Sequence, residues 1–284
     1  MFAQFFRCTL LTALPSILVL LVPATGLAFY ADLDDFSVSF SDPNNDGVPN
    51  PLSASDDYND GVFGLPSVEL SGPSILPGDE AGGLLRLQRP VLATSGSLDQ
   101  FISLDPGSGL GHQGPLSTSA TFRLGPFDQP PVGQTPVEFY MLQALAPGGG
   151  GAPGPEQAVL FVARNTLLPG TLTAVMWDNV AKNIFAFLEL GTLALGTSLR
   201  LQLDLATQGT DLVPSGCVSI DGGACVAVDS TTGLSDPTAP TYDPAAFRFA
   251  MVGTTITPEP GTALLLGLGL AALRTRWTAS SSSC

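Results

Sequence analysis

Short apolar runs at a period of two, a chain one-fifth Gly and Pro, and turn residues at regular intervals predict an all-β fold. The form expected is an antiparallel β-sandwich, jelly-roll or lectin-like. The 32 glycines and 25 prolines among 284 residues leave little room for helix interiors, which tolerate neither. The clearest strand is Leu199-Arg-Leu201-Gln-Leu203-Asp-Leu205, with one apolar and one polar face. Phe36-Ser-Val38-Ser-Phe40 repeats the pattern. Further runs lie at Leu84–Leu87, Phe101–Leu104, Ala120–Leu124, Val137–Leu142, Val159–Ala163, Leu172–Trp177, Ile184–Leu190, Cys217–Ile220, Cys225–Val228 and Phe247–Val252. About a dozen strands at this spacing suit a sandwich or barrel. The Gly-rich segment from Ala146 to Pro155 reads as a long surface loop, because strand pattern and composition match on either side; a linker between two domains of roughly a hundred residues each is the alternative.

The first 28 residues read as a processing signal. One positive charge at Arg7 precedes an uncharged apolar run from Leu10 to Val22, and small residues follow at Ala24, Gly26 and Ala28. This is the three-part layout of a secretory signal peptide, with cleavage before Phe29 by a signal peptidase. Pro15 and Pro23 argue against a membrane-anchoring first helix.

Residues 29–257 then form the exported body, long enough for one sizeable hydrophobic core. That body holds 24 of the 25 acidic residues against seven basic ones, a net charge of −17. The charge balance argues against nucleic acid as a partner, since its binders need Lys and Arg to replace condensed counterions. Two of the four cysteines, Cys8 and Cys284, fall in the terminal segments. The other two, Cys217 and Cys225, flank two apolar runs around Asp221-Gly222-Gly223, the pattern of a β-hairpin. A disulfide across that hairpin is expected in an oxidising compartment. It would pin local register more than global stability, because the loop it closes is short.

At the other end, Pro258-Glu259-Pro260 is followed by the uncharged apolar run Gly261–Leu273 and then by Arg274 and Arg276. Thirteen residues rise only about 20 Å as a helix, short of a 30 Å hydrocarbon core, so spanning would need bilayer thinning or interfacial help. The two arginines favour an orientation with the body outside. This ordered arrangement over residues 258–276 closely resembles the PEP-CTERM sorting signal of Gram-negative bacteria, and residues 277–284 form a short tail beyond it. The resemblance implies recognition of Pro258, Glu259, Pro260, Arg274 and Arg276 by an exosortase, a membrane-embedded cysteine protease. It further implies transient anchoring in the inner membrane, then release to the cell surface or extracellular matrix, with an exopolysaccharide or biofilm role. Glu259 would be a recognition residue on a substrate, not a catalytic group.

The body offers little catalytic chemistry. Its single histidine, His112, sits in Gly109-Leu-Gly111-His-Gln-Gly114, which matches the dinucleotide fingerprint, but Pro115 follows and no helix opens there. The segment is therefore read as a loop and His112 as an exposed imidazole. No Gly-x-Ser-x-Gly elbow is present, and Lys182 is in no phosphate-loop motif. A carboxylate-pair glycosidase needs two acids at a fixed separation, whereas Glu69, Glu80, Glu138, Glu156 and Glu189 sit singly. Trp177, inside an apolar run, reads as core. The expected protein is accordingly not an enzyme.

One feature suggests a metal. Ser-Asp-x-x-Asn-Asp-Gly-Val occurs at Ser41–Val48 and again at Ser55–Val62. Calcium wants six to eight hard oxygens, and Asp42, Asn44 and Asp46 with the Val48 carbonyl would supply a start. Position twelve of such a loop is Ser53 rather than Glu, and the second copy places Tyr58 where the middle oxygen belongs. Asp56, Asp57 or Asp60 could complete one composite site. The competing expectation is that both copies are turns, for which Asn-Asp-Gly is ideal chemistry. Two functions follow as expectations: a non-enzymatic surface or matrix protein, and alternatively a lectin-like carbohydrate-binding module, with or without calcium.

Overall fold

The period-two runs become strands throughout. The computed structural model describes residues 30–64, 66–71, 75, 78–88, 98–104, 106, 111–124, 137–147, 153–164, 171–178, 180–234 and 236–257. The expected signal peptide, the expected sorting residues Pro258, Glu259, Pro260, Arg274 and Arg276, and the final tail lie outside the described residues. Fourteen strands and no helix occur among those described. They are β1 (Tyr30–Phe40), β2 (Leu52–Asp56), β3 (Ser67–Ser71), β4 (Leu85–Gln88), β5 (Leu98–Leu104), β6 (Leu116–Arg123) and β7 (Val137–Pro147). The remainder are β8 (Pro153–Arg164), β9 (Thr171–Asp178), β10 (Asn183–Thr192), β11 (Ser198–Gln208), β12 (Asp211–Ile220), β13 (Val226–Ala227) and β14 (Phe249–Thr257).

Two antiparallel sheets result. The first runs β13-β12-β11-β6-β1-β2, with β4 beside β2 on the same flank of β1. The second runs β10-β9-β8-β7-β14-β5-β3. Both draw strands from before and after the Gly-rich segment, and β7 and β8 on its two sides pair antiparallel with Pro147 opposite Pro153. A linker between two separate bodies would not place its flanking strands side by side.

Alternation decides which face is buried. On β11, Leu199, Leu201, Leu203 and Leu205 point inward at 0–2 % exposure, while Arg200, Gln202 and Asp204 point out. Leu33, Phe36, Val38 and Phe40 of β1 meet Leu142, Leu160, Ala174 and Val252 of the second sheet in one contiguous core. Sheets packed this way bury their inner faces together and leave polar positions outside. A second, small apolar cluster of Phe101, Leu145 and Met251 lies on the opposite face of the second sheet.

Two expectations are corrected. Trp177 is half-buried and belongs to neither cluster, because it alternates with Met176 and it is Met176 that reaches the core. His112 is half-buried too, with its ring edge-on to Phe40 at 5.0 Å. The short strands β2 and β3 were not visible as apolar runs, since serines and acids occupy most of their positions.

Candidate functional site

The outer face of the first sheet carries a groove of about 480 Å³, lined by Ser37, Ser39, Ser53, Ser55, Ser117, Ser119, Arg200 and Gln202 over Val38 and Ala54. Its floor follows from three Ser-x-Ser motifs, Ser37-Val-Ser39, Ser53-Ala-Ser55 and Ser117-Thr-Ser119, on the adjacent strands β1, β2 and β6. Period-two geometry turns both serines of each motif to one face. The register then aligns them. Ser39 lies opposite Ser53 and Ser117, and Ser117 opposite Asp204. One step along, Ser37 lies opposite Ser55 and Ser119, and Ser119 opposite Gln202. Two transverse ranks of hydroxyls therefore cross β2, β1 and β6 and end on the longer side chains of β11. Serine reaches one heavy atom beyond Cβ, so the floor is low where the serines meet and Arg200 and Gln202 form a wall.

The hydroxyls are ordered by their neighbours. Ser37 Oγ and Ser119 Oγ are hydrogen-bonded at 2.9 Å, and Arg200 Nη2 donates to Ser119 Oγ at 3.0 Å. Ser117 Oγ donates to Asp204 Oδ1 at 2.5 Å, while Gln202 Nε2 donates to Asp204 Oδ2 at 2.9 Å. Beneath, Thr118 points inward and its hydroxyl donates to the Ser37 carbonyl at 2.8 Å. The groove thus presents hydroxyls, one amide and one guanidinium, with the carboxylate of Asp204 at its border. That inventory can bind a polar ligand in several ways. Its lining does not carry the facing carboxylate pair that glycoside hydrolysis uses.

The two acidic repeats fold as different turns. In the first, Asp42 closes the loop on itself: its Oδ1 accepts from Asp46 N at 3.2 Å and its Oδ2 from Gly47 N at 2.8 Å. Asp46 Oδ1 accepts from Val48 N at 2.9 Å. In the second, Asp60 repeats that last contact with Val62 N, but Asp56 bonds Tyr58 N at 3.0 Å and the Ser67 hydroxyl at 2.7 Å. The left-handed non-glycine residue is Asn45 in the first copy and Tyr58, one position earlier, in the second. Tyr58 is fully buried in the core, with its hydroxyl 3.2 Å from Ser67 Oγ, and burial pushes its phenol pKa well up. A core plug therefore occupies the place of the missing calcium oxygen.

Among the described residues no group of three or more His, Cys, Asp or Glu side chains converges to hold a metal ion. Both carboxylates of Asp42 and Asp46 close the turn, and the structure does not bring Asp56, Asp57 and Asp60 to them as a cage. Melting curves of the full chain in millimolar calcium and in chelator are expected to coincide. A rise of several degrees in calcium would show that the loop binds the ion.

The second repeat ends on a carboxylate pair. Glu80 is buried at 5 % exposure; its Oε1 accepts from Gly61 N at 2.8 Å, and its carboxyl neighbours that of Asp60. Burial, then the contact with Asp60, raises the Glu80 pKa; the Val62 amide, then Glu80, lowers that of Asp60. The signs oppose. Glu80 contributes stability fully present below its unfolded pKa and lost as pH rises through its raised folded value. Asp60 contributes stability present above its unfolded pKa and lost as pH falls through its lowered one. Glu80→Gln copies the protonated form. It is expected to raise Tm by a few degrees near neutral pH and to change it little near pH 4. An equal shift at both pH values would refute the carboxylate pairing.

The predicted disulfide is formed. Cys217 and Cys225 are bonded across the β12–β13 hairpin with Cα atoms 5.5 Å apart. The turn is Ile220-Asp221-Gly222-Gly223, with positive φ at Asp221 and Gly222 and Gly223 N donating to Ile220 O at 2.9 Å. Positive φ at both central residues is the twist-matched hairpin turn, and Asp-Gly favours it. Of the predicted sites, then, the disulfide pair is brought together, the calcium residues share a turn without forming a cage, and the groove was missed. Its signal was present in the three Ser-x-Ser motifs, which become meaningful only once register is known. No protein-family model matches the chain, and no curated protein matches its sequence.

Proposed function

We propose that the protein is exported, sorted by an exosortase through its C-terminal Pro258-Glu259-Pro260 signal, and acts without catalysis at the surface or in the extracellular matrix of a Gram-negative bacterium. The observation that carries the reading is the Cys217–Cys225 bond. Structural disulfides persist in oxidising compartments and are rare in the cytosol. That chemistry agrees with the signal-peptide layout of residues 1–28. The test is fractionation with intact-mass measurement. Loss of residues 1–28 and of the C-terminal tail from protein outside the inner membrane is expected, together with retention at that membrane in Glu259→Ala. Cytoplasmic protein with residues 1–28 still attached would overturn export. Unchanged distribution and mass in Glu259→Ala would overturn sorting.

A second reading is a lectin-like carbohydrate-binding module. The observation favouring it is the hydroxyl-floored groove on the first sheet.

A further inference from the structure

The geometry points to the groove over β2, β1, β6 and β11 as a binding site for a neutral polysaccharide strand. Arg200 and Gln202 would be the contacts that orient it. This rests on the lectin-like reading and assigns it residues. The volume of about 480 Å³ lies within the range of ligand sites. Spanning four strands, the groove is about 15 Å across at the usual strand spacing. It therefore suits an extended chain laid over the strands better than a compact ligand.

Ligand class follows from the donors and acceptors. A serine hydroxyl donates one hydrogen bond and accepts two, so a floor of six serines matches a ligand whose own groups are hydroxyls of the same dual character. Arg200 is exposed and donates one hydrogen bond, to Ser119; among the described residues no carboxylate lies within ion-pair distance of it. A guanidinium has five N–H donors, so Arg200 has donors to offer a ligand oxygen. Gln202 is anchored through its amide nitrogen to Asp204, which leaves its carbonyl as an acceptor.

Ordering cost is low as well. Serine loses little rotamer freedom on binding compared with the long side chains usual on a solvated face. Contacts with Arg200, Asp204 and Ser37 already orient Ser119 and Ser117. Charge selects against polyanions: Asp204 borders the groove, and the body carries a net charge of −17. The lining holds no aromatic ring, so affinity comes from hydrogen bonds and is modest for a single site.

Affinity electrophoresis tests this on the full chain in mild detergent, in gels containing dextran, galactomannan, mixed-linkage β-glucan or the polyanion alginate. Retardation by at least one neutral polysaccharide is expected. Arg200→Ala, which removes a donor, and Ser39→Gln, which fills the floor, should each weaken it about fivefold, as loss of one hydrogen bond does, with circular dichroism unchanged. Ser53→Gln on the edge strand β2 gives the same reading should Ser39→Gln fail to fold. Neutral-glycan retardation untouched by all three variants would overturn the groove while leaving the lectin-like reading standing. Retardation by alginate alone would overturn the neutral class. No retardation in any gel would overturn both.

Discussion

Tyr58→Ala is expected to lower the melting temperature by roughly 10 °C or more, as truncation of a buried aromatic costs about 3–5 kcal/mol. Its side chain is fully buried in the inter-sheet core, and its hydroxyl meets Ser67, which in turn bonds Asp56. Tyr58→Phe should cost only about 1 kcal/mol, since the ring stays and Ser67 keeps its bond to Asp56. The telling comparison is Tyr58→Gly. At φ 51° a side chain bears left-handed strain of about 1–2 kcal/mol, which alanine keeps and glycine sheds. Gly should therefore be less destabilising than Ala at this position, the reverse of the usual order within strands and helices. Denaturant midpoints of the three variants check it. A Tyr58→Ala protein as stable as the parent would mean that the ring is not part of the core.

Tyr58 also shows where sequence reasoning stops. As one member of a repeated turn motif it is simply a broken calcium ligand, because the motif places it by analogy with Asn44. Nothing local says that the backbone there turns left-handed and drops the ring between two sheets; that depends on Ser67 and Glu80, nine and 22 positions further along. Strand identity was legible wherever alternation involved Leu, Val or Phe, as on β1 and β11, since those residues must be buried somewhere. It was not legible on β2, where Leu52-Ser-Ala-Ser-Asp56 is half-buried at best. The same serines make the groove, so the strand hardest to read is the one that supplies part of the candidate site. The hairpin at Cys217–Cys225 was readable because turn chemistry and sulfur chemistry act over nine residues. The groove was not, because its ranks join Ser53, Ser39, Ser117 and Asp204 across long sequence separations through register alone.

Gly111→Ala tests the other end of the sandwich and should be as damaging as any core truncation. A Cβ at Gly111 would stand 2.1 Å from the Arg248 carbonyl oxygen and 2.6 Å from its carbon, both backbone atoms, at φ +79°. Overpacking and left-handed strain together cost roughly 2–5 kcal/mol. Gly47 gives the contrast, with nearly the same φ of +76° but open space around it. Gly47→Ala should therefore cost only the strain, about 1–2 kcal/mol. Gly114 behaves like Gly111, since its Cβ would meet the Asp42 carbonyl oxygen at 2.3 Å. These approaches bring together three loops distant in sequence. His112 and Arg248 exchange backbone hydrogen bonds at 2.7 Å, Gly114 N donates to Pro244 O, and Gln113 N donates to Pro43 O. Gly111 and Gly114 thus admit neighbouring carbonyls where a nucleotide loop would admit phosphate, and carbonyl oxygens so placed would repel an anion. Equal losses in Gly111→Ala and Gly47→Ala would show that strain alone governs both. A markedly larger loss at Gly111 would show that loop packing is the reason for the glycine.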